Sequence, residues 1–170
     1  MGAIISASED FNYGKYQIND ADVTRQGLKE YIKQNELRFV YELLGVELGD
    51  LLIADLDANN KPQTARFVKI FEPLAFDFAH RLVMSKGIKD ILQGFVYSEF
   101  VREQNYKNNI NGSGSGLYPQ GDVISANVAG LAHKYNNAIE SFWAIQLYIH
   151  ENKADYPEFN GTTKHYTSLI

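Results

Sequence analysis

The chain has 170 residues, 45% of them hydrophobic, which suffices for one domain that buries an apolar core without metals or disulfides. The absence of cysteine excludes disulfide frameworks, zinc sites made of thiolates and cysteine nucleophiles. The net charge of -5 comes from acidic and basic residues spread along the chain, so there is no basic stripe of the kind that neutralises nucleic-acid phosphates.

Membrane insertion and secretion are also disfavoured by the sequence. The longest apolar runs, such as residues 51–54, are far shorter than the ~20 residues needed to cross a bilayer. Residues 1–6 lack the positive charge and the long apolar stretch of a secretory signal. We therefore expect neither a membrane partner nor export by that route.

An extended N-terminal arm is predicted over residues 1–19. Phe11, Tyr13 and Tyr16 stand there among polar residues, and no helical period is sustained. Tyrosine-rich surfaces suit protein interfaces, because the ring buries a large area while the hydroxyl stays hydrated. These three aromatic residues are therefore candidate interface residues.

A helical domain is predicted over residues 20–156. Its first helix begins near Val23 behind an aspartate cap, and a second covers residues 36–44 and ends at Gly45, which suits a left-handed cap. A third short helix is predicted from Val46, because apolar residues recur at helical spacing. Those residues are Leu48, Leu51, Leu52 and Leu56.

The helical spacing of apolar residues is weaker in the middle of the chain. Residues 57–62 read as a polar turn, and residues 63–71 as a further short helix ended by Pro73. The aromatic stretch Leu74 to Phe78 fits a strand or a helix equally well.

Two long helices close the predicted domain. Ser85 caps a helix that reaches about Asn108, and a flexible glycine- and serine-rich loop follows over residues 108–120. Asp122 opens the longest helix, whose apolar residues recur every three or four positions as far as Ile149. Such a helix is about 45 Å long, so we expect one end to project or to contact a neighbour.

A C-terminal tail is predicted for residues 157–170, with Pro157 and Gly161 marking the end of the helix. The predicted fold is thus mainly α. It is a helical bundle of about four to six helices with one long C-terminal helix, plus an extended N-terminal arm and a C-terminal tail.

The sequence assigns no catalytic, cofactor or metal site. Residues 55–60 mimic the start of a calcium loop, but Asn60 stands where glycine is needed and Arg66 where a bidentate glutamate is needed. The histidines have no i, i+4 pair, and neither a nucleophile elbow nor a phosphate-binding loop is present. We therefore predict a protein that is not an enzyme and needs no cofactor.

Several segments carry a resemblance to a known family. These are Tyr41–Gly45, Leu51–Leu56, Gly87–Tyr97, Glu99–Arg102, Phe159–Gly161 and Lys164–Ile170. Read in series, they resemble the small head-tail connector, or neck adaptor, proteins of tailed phages that infect Bacteroidetes-type bacteria. The likeness covers about residues 28–150 and the end of the chain, and it lies in packing segments rather than in a chemical motif.

The resemblance implies a structural virion protein made in the bacterial cytoplasm and placed at the neck of the particle. It implies a homo-oligomeric ring, commonly of twelve subunits, that binds the portal protein and other neck or tail proteins. DNA would pass through the channel without sequence-specific binding, and an acidic balance suits such a channel.

Two other functions remain open. A tail-completion or stopper protein of the neck would use the glycine-rich loop to close the channel. A small host binding domain or enzyme would need a concave site with perturbed titratable groups. For assembly, the residues predicted to form interfaces are Phe11, Tyr13, Tyr16, Tyr118, Trp143, Tyr148, His165, Tyr166 and Ile170.

Overall fold

The computed structural model describes residues 4–18, 22–110 and 122–164. They form the helices α1 (Asp22–Leu44), α2 (Val46–Asp55), α3 (Ala65–Phe71), α4 (Ile88–Ile110) and α5 (Asp122–Glu151), with the strands β1 (Leu74–Phe78) and β2 (Arg81–Ser85) between α3 and α4. Helices make up most of the described residues, which confirms the mainly helical class. The fold is nevertheless not a pure helical bundle, because β1 and β2 pair as a small antiparallel sheet.

Helix α1 runs without a break through the region where the sequence predicted two shorter helices. The residues that join them, 33–35, include neither glycine nor proline, so nothing local interrupts the helix. It ends at Gly45 as predicted. Gly45 has a φ of 83° and donates its N–H to the carbonyl oxygen of Tyr41 at 2.8 Å. The backbone of Asn160 fills the space that a side chain at position 45 would need.

The core lies where α4 crosses α1 and α5. The ring of Phe95 on α4 contacts Phe39 of α1 and Phe142 of α5, with ring centroids 5.4 and 5.9 Å apart. Helix α4 comes closest to α5 at Gly94, where an added Cβ would lie 2.6 Å from the Cβ of Ala138. A glycine opposite an alanine lets the two helices approach closely, and all of these residues are buried.

The acidic run after α2 forms a hydrogen-bonded turn, as the sequence predicted for residues 57–62. The carboxylate of Asp57 accepts the N–H groups of Asn59 at 2.8 Å and Lys61 at 2.9 Å. That of Asp55 accepts the N–H groups of Gln63 and Thr64, both at 2.8 Å. Both carboxylates therefore satisfy local backbone donors.

The stretch that was undecided between strand and helix is strand β1, and β2 returns beside it in a register that pairs Phe78 with Arg81. The two turn residues between them, Ala79 and His80, both have positive φ, of 48° and 62°. Positive φ at both central positions is the pattern of a type I′ hairpin turn. Ser85 ends β2 rather than beginning the next helix, and its hydroxyl accepts the N–H of Gly87 at 3.1 Å.

Residues 4–18 pack between α1 and α4, so the predicted extended arm is wrong for this part of the chain. Its four buried apolar side chains join the core: Ile4, Ile5, Phe11 and Tyr16. The segment folds on itself through the N–H of Ile18, which donates to the carbonyl oxygen of Phe11 at 3.0 Å. The apolar residues of this segment are irregularly spaced because the segment packs into a groove between α1 and α4. It does not project from the domain.

The chain after α5 folds back across the domain. The helix ends at Glu151, five residues before the predicted domain boundary at 156. Along the described part of the predicted tail, the N–H of Thr162 donates to the carbonyl oxygen of Glu42 at 2.7 Å, and the Nζ of Lys164 lies 2.5 Å from the Glu42 carboxylate. These contacts attach the tail to the last turn of α1.

Candidate assembly surfaces

The structure separates the predicted interface residues into three groups. Phe11 and Tyr16 are 1% and 3% exposed, so the prediction that they form an intermolecular interface is not supported by their position. Tyr13, between them, is 83% exposed. The sequence predicted all three from their type, and type alone does not show which way each side chain points.

Trp143 and Tyr148, predicted as interface anchors, are partly buried within the chain. The indole Nε1 of Trp143 donates to the carbonyl oxygen of Lys164 at 2.8 Å. The ring of Tyr148 contacts Phe76 of β1 and Tyr156, with centroids 5.4 and 6.3 Å apart. Both rings therefore attach peripheral segments to α5. The other predicted interface residues lie outside the described residues: Tyr118, His165, Tyr166 and Ile170.

A buried carboxylate on α1 holds the start of residues 4–18. Glu36 is 8% exposed and accepts the N–H of Ile5 at 2.8 Å. Burial raises the pKa of Glu36 to about 7 from an ordinary 4.5, although the N–H groups of Ile5 and Ile4 favour the charged form. The negative charge of Asp10 adds to the rise.

A half-open cleft of about 340 Å³ lies between residues 4–10, the polar turn after α2 and the start of α4. Two ion pairs involve its lining: Lys89 lies 2.8 Å from Asp10, and Lys15 lies 2.7 Å from Asp90. Across the described residues, no group of three or more histidine, aspartate or glutamate side chains is placed to hold a metal ion. We therefore interpret the cleft as a polar contact that holds residues 4–10 against the start of α4.

Helices α4 and α5 leave the centre of the core toward Ile110 and Asp122, although Tyr135 still packs against Phe95. We call residues 101–110 of α4 and 122–137 of α5 the projecting end. Among its residues whose side chains are described, 101–104 and 129–137, none is buried. In α5 this part is roughly 24 Å long. The long helix was predicted to have one end that projects or contacts a neighbour, and its described side chains lose their burial before Ala138.

The outer face of the β1–β2 hairpin exposes apolar side chains. The register places Ala75 beside Met84 and Asp77 beside Leu82 on one face of the sheet. Leu82 and Met84 are 66% and 64% exposed. The opposite face turns toward α5, where Phe76 meets Tyr148. We call the outward residues Ala75, Asp77, Leu82 and Met84 the hairpin surface.

Helix α2 presents a second exposed apolar pair. Val46 and Leu51 are 60% and 38% exposed, while Leu48 and Leu52 on the other side are buried. Glu47 and Asp50 lie on the same exposed side, and α2 has no basic residue. We call Val46, Glu47, Asp50 and Leu51 the α2 surface.

Sequence reasoning missed both surfaces. Leu51 was counted with the buried leucines of α2, although its helical position lies between the buried stripe and the exposed side. The hairpin was missed because Phe78-Ala79-His80-Arg81 lacks the Asn-Gly or Asp-Gly dipeptide that usually announces a two-residue turn. The one available signal was the short apolar run Leu82-Val83-Met84 between Arg81 and Ser85.

Comparison with protein-family models, with curated proteins and with solved structures finds no match for this chain. None of the helices in the described ranges is both long enough and apolar enough to cross a bilayer.

Proposed function

We propose that this chain is a structural subunit that works by assembling with other protein chains, as a head-tail connector that forms a ring under the portal of a phage particle. The ring links capsid to tail around the DNA channel. The resemblance in the sequence supplies the particular assembly, and the distribution of exposed surface supports an assembly role.

The observation that carries the proposal is the projecting end. Helices within proteins gain most of their stability by packing an apolar face, so a long pair with no buried described side chain at one end is uncommon in a small domain. The pair still exposes apolar groups there, including the side chain of Ala129, while Leu131 and Tyr135 are only partly buried. A neighbouring chain that covers this end would supply the missing contact area.

The mode of contact follows from ring geometry. Each subunit of a closed ring touches two neighbours through two different surfaces, so peripheral surfaces on opposite elements of one chain are needed. The partners proposed are further copies of this chain, the portal protein and other neck or tail proteins. The net charge of -5 supports a channel through which DNA slides without being held.

The test is the mass of the full chain under native conditions, alone and with the portal protein encoded in the same genome. We expect a discrete ring-sized species by native mass spectrometry and ring-shaped particles by electron microscopy. We also expect the chain among the proteins of purified virions. A chain that stays monomeric with portal and is absent from virions would refute the proposal.

Two substitutions make the test specific to the projecting end. Ala129→Glu and His133→Glu place charges on exposed positions of α5 without touching the core, so the monomer should keep its fold while the large species is lost. Lys153→Glu is the matched control, since Lys153 is exposed beyond the other end of the same helix. Equal assembly of all three variants would show that the projecting end is not an assembly contact.

A further inference from the structure

Residues 4–9 are attached to α1 by a small number of polar contacts. The N–H of Ile5 donates to the carboxylate of Glu36 at 2.8 Å, and Arg25 donates to the carbonyl oxygen of Ala7 at 3.2 Å. We call residues 4–9 the latch. The latch contains no helix and no strand, so it can move without disturbing a regular element.

The residues that follow the latch are anchored more firmly. Asp10 lies 2.8 Å from the Nζ of Lys89 on α4. Phe11 and Tyr16 are 1% and 3% exposed, and each buries a large ring in the core. Residues 10–18 therefore provide a fixed point from which the latch can open.

The carboxylate under the latch has no counter-ion. Glu36 is 8% exposed and forms an ion pair with no described cation. An ionised carboxylate that is buried without a cation is costly, and backbone N–H donors offset only part of that cost. The protonated form therefore suits the closed latch, and the ionised form is better accommodated where water can reach it.

The charged groups around Glu36 do not supply the missing cation. Asp10 acts on Glu36 through its negative charge, which disfavours ionisation. On α1 itself, Lys33 lies one turn before Glu36 and is exposed to solvent. The remaining charged groups that hold residues 4–18 are engaged with other partners: Lys89 with Asp10, Lys15 with Asp90, and Arg25 with the carbonyl oxygen of Ala7.

We propose that the latch is a pH-sensitive switch, in which loss of the Glu36 proton releases residues 4–9 from α1 while residues 10–18 and the helices stay in place. Ile4 and Ile5 are buried, so the closed form dominates and the carboxylate sets how often the latch opens. Opening hydrates Glu36 and uncovers the groove between α1 and α4.

The direction of the switch follows from the proton balance. Burial raises the pKa of Glu36 to about 7 in the closed form, from an ordinary 4.5. The closed latch therefore binds the proton more tightly, and its extra stability is fully present below about pH 4.5 and is lost as the pH rises through about 7. Between pH 6 and pH 8 the open fraction should rise about tenfold.

Thiol reactivity tests the switch directly, because the chain has no cysteine of its own. Ile5→Cys places a thiol at a buried position of the latch, and Ile149→Cys places one at a buried position of α5. The rate with a dithionitrobenzoate reagent is divided by the rate of the same variant unfolded in urea at the same pH, which removes the titration of the thiol itself. We expect the Ile5→Cys thiol to react at least about tenfold faster than the Ile149→Cys thiol. Its relative rate should rise about tenfold from pH 6 to pH 8.

Two further substitutions in the Ile5→Cys protein assign the titrating group. Glu36→Gln should abolish the rise with pH, because the amide oxygen can still accept the N–H of residue 5 but cannot ionise. Glu30→Gln is the matched control, since Glu30 is exposed on the same helix, and it should leave the rise unchanged. Ile4→Cys, 4% exposed, repeats the measurement at the neighbouring position in case Ile5→Cys loosens the latch at every pH.

Urea at concentrations below the unfolding transition distinguishes local from global opening. It should hardly change the rate of the Ile5→Cys thiol, because opening the latch exposes little surface, while it should raise the rate of the Ile149→Cys thiol. Equal relative rates for the two thiols at every pH would overturn the proposal, because the latch would then open only when the whole domain unfolds. A rise with pH that persists in the Glu36→Gln protein would also overturn it, because another group would carry the titration.

Discussion

Residues 4–18 and the β1–β2 hairpin are both short segments in which aromatic and aliphatic residues alternate with polar ones, yet they end in opposite environments. Phe11 in the first is fully buried, whereas Leu82 in the second is two-thirds exposed. The first segment has little regular structure of its own, so its backbone donors need partners from the domain, and Glu36 accepts one of them. The hairpin satisfies its backbone within itself and needs the domain on one face only.

The comparison shows why residue type is a weak guide to exposure. A segment without its own hydrogen-bonded ladder gains order only by attachment, and its apolar residues are used for that attachment. A hairpin can present apolar residues outward because its order does not depend on burying them. Exposed apolar residues on a self-sufficient element are therefore better candidates for an interface than aromatic residues on an irregular one.

The largest effect is expected at Phe11. Phe11→Ala removes a fully buried ring from the contact between residues 4–18 and the domain, and should lower the free energy of unfolding by about 3–5 kcal/mol. Tyr13→Ala, two residues along and 83% exposed, should change it by less than about 0.5 kcal/mol. Urea titration followed by circular dichroism measures both. Similar small losses for the two variants would mean that the segment is not attached as described.

The helices could be predicted from the sequence because their signals are local. The end of α1 at Gly45 and the 30-residue helix α5 both follow from spacing and capping, which need no knowledge of the rest of the fold. The continuity of α1 was missed because Lys33, Gln34 and Asn35 are three consecutive polar residues. They interrupt the apolar stripe but not the helix.

The surfaces could not be predicted in the same way. Whether Tyr13 or Phe11 is exposed depends on a groove between α1 and α4, and α4 is far away in the sequence. The inward and outward faces of the hairpin were set by a turn at Ala79 and His80 that lacks the usual glycine. The choice of interface residues therefore required the tertiary structure, even though the helices did not.

A smaller, pH-dependent effect is expected at Glu36. Because folding raises its pKa to about 7, the folded chain binds this proton more tightly than the unfolded chain. Its contribution is fully present below about pH 4.5 and is lost as the pH rises toward and through about 7. The loss is about 3 kcal/mol. Glu36→Gln removes this titration, so the variant should exceed the wild type in stability at pH 8 and lose the slope between pH 5 and 8.

The same measurement on Glu30→Gln is the control, since Glu30 is exposed on the same helix. Its slope should match that of the wild type. Chemical denaturation at several pH values gives the slopes. If Glu36→Gln retained the wild-type slope, the titrating group would lie elsewhere and the buried carboxylate would not be the link between pH and the attachment of residues 4–18.

The smallest effect on folding is expected on the outer face of the hairpin. Leu82→Thr and Met84→Thr keep a strand-compatible side chain and remove apolar groups that contact solvent, so each should change the free energy of unfolding by less than about 0.5 kcal/mol. Phe76→Ala, on the inner face against Tyr148, should cost about 1–3 kcal/mol. Thermal unfolding of dilute protein, where chains do not associate, makes this comparison. A large loss from either threonine variant under those conditions would show that the outer face is needed within one chain, and it would no longer be available for a neighbour.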